Sequence, residues 1–183
     1  MVNRKYLPQF IYFYHLIKNG LLLYKDIKIF LNKMEQSELI KNIKSLDKPG
    51  RDKTKKLCEK LGYKWGEPDN EKLAYDCYFI YKGKKYLVEI KDRNPEYDKY
   101  DELILEVDKY NRVENWKNRL NANGCYYINW FGDKCYIFNL DDSYITEHKD
   151  RKIMNRVTAA SRVDKCYKDV YLVDKNKAKI YYL

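Results

Sequence analysis

Two runs rich in tyrosine, phenylalanine and β-branched residues, Leu73 to Tyr81 and Lys85 to Lys91, flank the turn sequence Lys82-Gly83-Lys84. Runs of that composition around a glycine-containing break predict an antiparallel β-hairpin. No other feature constrains the chain as tightly. Side chains alternate between the faces of a strand, so a register slip of one residue exchanges the faces. With Gly83-Lys84 as a two-residue loop, Tyr81 faces Tyr86, Phe79 faces Val88 and Asp76 faces Lys91. Asp76, Glu89 and Lys91 then project from one face. A three-residue loop would send Asp76 to the other.

The rest of the chain reads around this hairpin. Residues 4 to 48 have apolar residues at helical spacing, with Asn19-Gly20 as a break, and form an expected N-terminal helical extension over 1–48. Pro49-Gly50 marks the boundary to a core over 49–140. Thr54, Leu57, Cys58 and Leu61 make one helical stripe from Lys53 to Leu61, with Asp52 placed to cap it and Gly62 to end it. Asp92 to Tyr100 is polar and reads as a loop. Val107, Tyr110, Val113, Trp116 and Leu120 mark a helix ended by Asn123-Gly124. Cys125 to Phe131 and Lys134 to Leu140 form a second hairpin across Gly132-Asp133. A basic segment over 141–183, expected to pack on the core, holds a helix from Asp150 to Ser161 and two last strands, Val170 to Val173 and Lys179 to Leu183. Helix, hairpin, helix, hairpin describes an α/β fold with a mixed central sheet flanked by helices.

The 183 residues carry a formal net charge of +10. A basic surface attracts polyanions, nucleic acid foremost. Arg151, Lys152, Arg156 and Arg162 follow the core and are candidates to track a phosphate backbone, with a solvated charged face as the plain alternative. The five cysteines form no CxxC pair. Cys77, Cys125 and Cys135 lie in apolar runs where a thiol packs as a small hydrophobe. A reducing compartment is expected, the cytoplasm, or a host's cytoplasm if the gene is viral. Charged residues interrupt the apolar stretch from Phe10 to Leu31, so no membrane partner is expected. The apolar N-terminal helices offer a face to a partner or to a second copy in a homodimer.

Two carboxylates and an ammonium on one partly apolar face are costly without a purpose. A divalent cation supplies one. Asp76 and Glu89 are hard oxygen ligands suited to Mg²⁺ or Mn²⁺. Lys91 can orient or deprotonate a water and steady a phosphate oxygen, which is the equipment for phosphodiester hydrolysis. The string [D/E]-x-K recurs at Asp26, Glu147 and Asp150. Only Glu89-Ile90-Lys91 ends an apolar strand paired to one that opens with an acid. Pro68-Asp69 lies in a polar loop and is a decoy. The competing reading is a salt-bridged trio on the exposed face of a hairpin, where such pairs contribute little.

A helix, then Tyr75-Asp76 opening a strand, then a hairpin into Glu89-Ile90-Lys91 resembles the PD-(D/E)XK nuclease superfamily. The likeness spans about Asp52 to Leu140. It implies a restriction-endonuclease-like core, a metal held by Asp76, Glu89 and the carbonyl of Ile90, and a lysine, Lys91, serving the nucleophilic water. It also points to Lys109, on the helix after the motif, as a site residue, against the plainer reading of a solvated lysine. Tyr75 stands in place of the family's proline. A further acid is often found on the first core helix, but Asp52 falls off the apolar stripe and is left unassigned. The expected function is a metal-dependent nuclease acting on DNA, and the alternative is a non-catalytic nucleic-acid-binding module of the same fold.

Overall fold

A computed structural model describes residues 48–69, 74–155 and 165–183. The helices expected over residues 4 to 48 lie outside these residues, apart from Lys48.

The hairpin forms as strands β2, Cys77–Tyr81, and β3, Lys84–Arg93. Its loop is Lys82-Gly83, one residue earlier than expected. Both residues have positive φ, 49° and 75°, the pairing that matches the twist of the flanking strands and that glycine adopts without steric cost. Tyr81 therefore pairs with Lys84 and Cys77 with Val88. Asp76, one step further, lies opposite Glu89 instead of Lys91. The register moves by two residues, so each side chain keeps its expected face.

Residues 48–60 form one helix, α1. Pro49 and Gly50 are inside it, so they do not break the chain as expected. Asp52 is likewise helical and ion-pairs with Lys48 at 2.6 Å instead of capping. Gly62 and Tyr63 close the helix by donating to the carbonyls of Glu59 and Cys58. A short strand β1, Lys64–Gly66, then adds to the outside of β2.

After β3 the chain does not simply loop. Pro95–Lys99 is a 3-10 helix and Glu102–Glu106 is strand β4, with Leu103 and Leu105 buried. Helix α2, Val107–Arg119, crosses back to strand β5, Gly124–Phe131, which runs parallel to β3. The helix ends before Asn121, at φ 48°, and Gly124 opens β5 instead of terminating the helix. Strand β6, Lys134–Asn139, pairs with β5 as expected. The expected helix over Asp150 to Ser161 is absent where it is described: Lys149–Asn155 is strand β7. It pairs along its whole length with β8, Lys165–Asp174, so partner strand geometry overrides local propensity. Strand β9, Lys179–Tyr182, pairs with β6.

The result is a six-stranded mixed sheet in the order β1-β2-β3-β5-β6-β9 and a three-stranded sheet β4-β8-β7. Helix, antiparallel hairpin, crossover helix and parallel strand make the expected α/β fold with a mixed central sheet. Leu57 and Cys58 of α1 pack on one face of the large sheet with Phe79, Val88, Ile128 and Trp130. Val113 of α2 and Leu103, Leu105 and Val173 of the small sheet pack on the other, with Leu87, Tyr127 and Phe138. Cys58, Cys77, Cys125 and Cys135 are free and buried. Among the described residues no helix is long and apolar enough to cross a membrane.

Candidate active site

Along β3, Val88 and Ile90 point to the α1 face while Leu87, Glu89, Lys91 and Arg93 point to the α2 face. The pleat therefore drives a carboxylate into the interior. Glu89 is fully buried. Lys91 Nζ lies 3.2 Å from Glu89 Oε1, and its side chain keeps 42 % of its exposure. Lys109 Nζ lies 2.9 Å from Glu89 Oε2. Lys109 reaches the site because Val113, one helical turn on, is the buried anchor of α2, and residues four apart share a face. A cation in the first turn opposes the helix dipole, so its position there is explained by Glu89 rather than by α2.

Asp76 stands where β2 has not yet begun. Its N–H donates to the Val88 carbonyl at 2.9 Å, and its Oδ2 accepts the Ile90 N–H at 2.7 Å. The side chain thus replaces the missing strand as acceptor for β3. Arg51 of α1 reaches Asp76 Oδ1 at 3.5 Å. It can do so because Gly50 lets the helix lie against β3: a Cβ there would meet Ile90 Cγ2 at 3.0 Å and Asp92 Cβ at 3.3 Å.

Strand β5 completes the site. Tyr127 pairs with Glu89 and Asn129 with Lys91 in the parallel register. Arg93 Nε donates to Asn129 Oδ1 at 2.7 Å, and its Nη2 donates to the Tyr127 hydroxyl and the Ile104 carbonyl. That leaves the Asn129 Nδ2 amide free.

Burial, then the charge of Asp76, pushes the Glu89 carboxyl up to about 7, against the pull of Lys91 and Lys109. The same Glu89 charge holds the Lys91 ammonium above its ordinary range, opposed by burial. Lys91 is therefore a proton-bearing donor in the free protein. Lys91 and Lys109 meet the two oxygens of Glu89 as ion pairs. Among the described residues, the buried side-chain polar atoms with no hydrogen-bond partner are Arg51 Nε, Glu89 Oε1 and Oε2, and Asn129 Nδ2. All of them belong to this one site, whereas buried polar groups elsewhere in proteins are nearly always paired. No cluster of three or more carboxylate, imidazole or thiol groups suited to a metal occurs among the described residues. A cation here would have two carboxylates, and water and a main-chain carbonyl would complete its shell. That donor set fits a hard divalent ion.

Asp76, Glu89, Lys91 and Lys109 are brought together. Of the expected nucleic-acid contacts, two are described. Arg151 lies on the exposed side of β7 over the Tyr167 ring, while Lys152 points the other way and pairs with Asp150. Arg156 and Arg162 lie outside the described residues. Sequence reading missed Arg51, Arg93, Tyr127 and Asn129. Arg51 was within reach, because it sits three residues before Thr54 and seven before Cys58, on the apolar stripe that excludes Asp52.

No protein-family model matches the chain, and no curated protein matches it. Among solved structures it is similar to Hjc, a Holliday junction resolvase from Archaeoglobus fulgidus. The identity is 14% over 67% of this chain and 88% of that chain, with a TM-score of 0.41.

Proposed function

We propose that the chain is a metal-dependent nuclease that hydrolyses phosphodiester bonds, with DNA as its substrate. The observation that carries this reading is that, among the described residues, every buried side-chain polar atom without a hydrogen-bond partner falls in one site, around a fully buried carboxylate met by two ammonium groups. Asp76 alone could be explained by its bond to Ile90, whereas Glu89 is fully buried and is met by two ammonium groups.

In this reading Asp76, Glu89 and the Ile90 carbonyl hold Mg²⁺ or Mn²⁺. The bound ion supplies an acidified water and a counter-charge for the phosphate. Lys109 favours the ionised form of Glu89 despite burial. Lys91, part-exposed and protonated, is placed to donate to the incoming water or to a phosphate oxygen. The basic balance of the chain supplies affinity for the backbone.

A second reading has one observation in its favour. Arg51, Lys91 and Lys109 outnumber Asp76 and Glu89, so the site already carries excess positive charge and could bind a phosphate without cutting it. Labelled single-stranded, duplex and branched DNA, incubated with and without Mg²⁺ or Mn²⁺, separates the two. Metal-dependent fragments that Glu89→Gln removes support the nuclease. Retention of DNA with no fragments under any metal supports the binding module.

A further inference from the structure

We propose that Arg51 is a phosphate clamp that Asp76 holds in reserve: its guanidinium rests on Asp76 in the free protein and moves to a substrate phosphate when a divalent cation takes Asp76. This rests on the nuclease reading.

The argument begins with the two oxygens of Asp76. One is fixed by the Ile90 N–H, and the other faces Arg51 at 3.5 Å. A cation binding Asp76 through its less engaged oxygen meets the Arg51 charge there. Arg51 and the cation therefore compete. The guanidinium cannot simply be left behind, because it is partly buried at 25 % side-chain exposure and its Nε has no partner. An uncompensated charge in such a place is strongly unfavourable. An anion must arrive with the cation, and the phosphate of a bound strand is the anion this site would receive. Guanidinium suits it, since its planar fork matches two phosphate oxygens, and Nε is one of the donors it would use. Helix position supports the same role. Gly50 brings α1 against Ile90 and Asp92, and Lys53 anchors it by an ion pair to Asp92 at 2.9 Å. Arg51 is thus held at the site by a fixed helix, with only its side chain required to move.

The consequence is a sign difference that a structural ion pair would not give. Removing Arg51 should help the cation and hurt the substrate. The test uses the full chain in a Lys91→Ala background, so that DNA stays intact, with and without Arg51→Gln. Fluorescence anisotropy measures labelled duplex DNA in Mn²⁺ and in chelator, and thermal melts measure the half-saturating Mn²⁺ concentration of the DNA-free protein. Arg51→Gln should weaken DNA binding about tenfold in Mn²⁺. In chelator, where Arg51 stays on Asp76, the change should be under about twofold. Half-saturation by Mn²⁺ should fall. Arg51→Lys, which keeps the charge without the fork, should give an intermediate loss and guards against a folding defect. An equal loss with and without Mn²⁺, no loss in Mn²⁺, or a looser Mn²⁺ site would each overturn the clamp. The protein without substitutions is assayed alongside. If it cuts DNA while the coupling is absent, only the clamp fails. If it cuts nothing with Mg²⁺ or Mn²⁺, the nuclease reading fails and the clamp with it.

Discussion

The two faces of the large sheet differ in how they treat buried polar groups. On the α1 face, Trp130 Nε1 donates to Thr54 Oγ1 at 2.9 Å, and Thr54 donates to the Gly50 carbonyl at 2.8 Å. Both residues are fully buried and both are satisfied. On the α2 face, the large sheet buries Glu89 and Asn129, with the two oxygens of Glu89 held only by the ammonium groups of Lys91 and Lys109 and the Asn129 Nδ2 amide without a partner. Neighbouring residues of β5, Asn129 and Trp130, serve one face each. The difference teaches that the open bonds are specific to one place and do not reflect loose packing throughout. A chain able to satisfy a buried indole and hydroxyl with each other gathers charged groups on the opposite face, where the proposed cation would add its contacts.

The comparison is most exposed to failure in the cleavage assay. Lys91→Ala should lower the cleavage rate by about 10²-fold or more, the scale lost when a donor to a developing charge is removed. Its folding and most of its DNA affinity should persist, because affinity is spread over many phosphate contacts. Unaltered turnover in a folded Lys91→Ala protein would take this lysine out of the chemistry. Leu57→Ala should behave in the opposite way. It removes a buried side chain from the α1 face and should cost about 2–5 kcal/mol in a urea titration. Cleavage per folded molecule should stay unchanged.

The pH dependence of stability sharpens the contrast. Glu89 has its carboxyl raised from 4.5 to about 7. The folded state therefore binds more protons than the unfolded state between those values. Unfolding free energy should fall as pH rises through that window, in chelator, and Glu89→Gln should flatten the fall. Denaturant midpoints at a series of pH values measure it. A slope unchanged in the Glu89→Gln protein would assign it to another group.

Much of this was legible in the sequence, for physical reasons that also mark where reading stopped. Asp76, Glu89 and Lys91 were found because a period of two fixes faces even when the loop is misplaced by one residue and the register by two. Lys109 came from resemblance, since nothing in its own surroundings separates it from a solvated helical lysine. Strand β4 was missed because Glu-Leu-Ile-Leu-Glu is short and suits the helix that follows it. Strand β7 was missed because Lys149–Asn155 has no strong apolar alternation, and its conformation is set by β8. Arg51 carries no mark in the sequence, because the resemblance points to an acid on α1 and not to a base. Asn129 and Tyr127 lie in a run that reads as plain core strand, and only the parallel pairing with β3 brings them to the site.

The smallest effect bears most directly on what fills the open face. If Glu89 and Asp76 bind a cation, Mn²⁺ must stabilise the folded state in proportion to its concentration. At about ten times its dissociation constant the gain is about 1.4 kcal/mol. For a chain of this length that is roughly 3–6 °C in Tm. Glu89→Gln should erase the shift, because it removes the charge of a ligand while keeping its shape. Leu57→Ala should keep the full increment on a lower starting Tm, since its face has no polar group left open. A shift that survives Glu89→Gln would place the cation elsewhere on the molecule. An increment lost in Leu57→Ala as well would mean that the two faces are not independent, and the contrast drawn between them would fail.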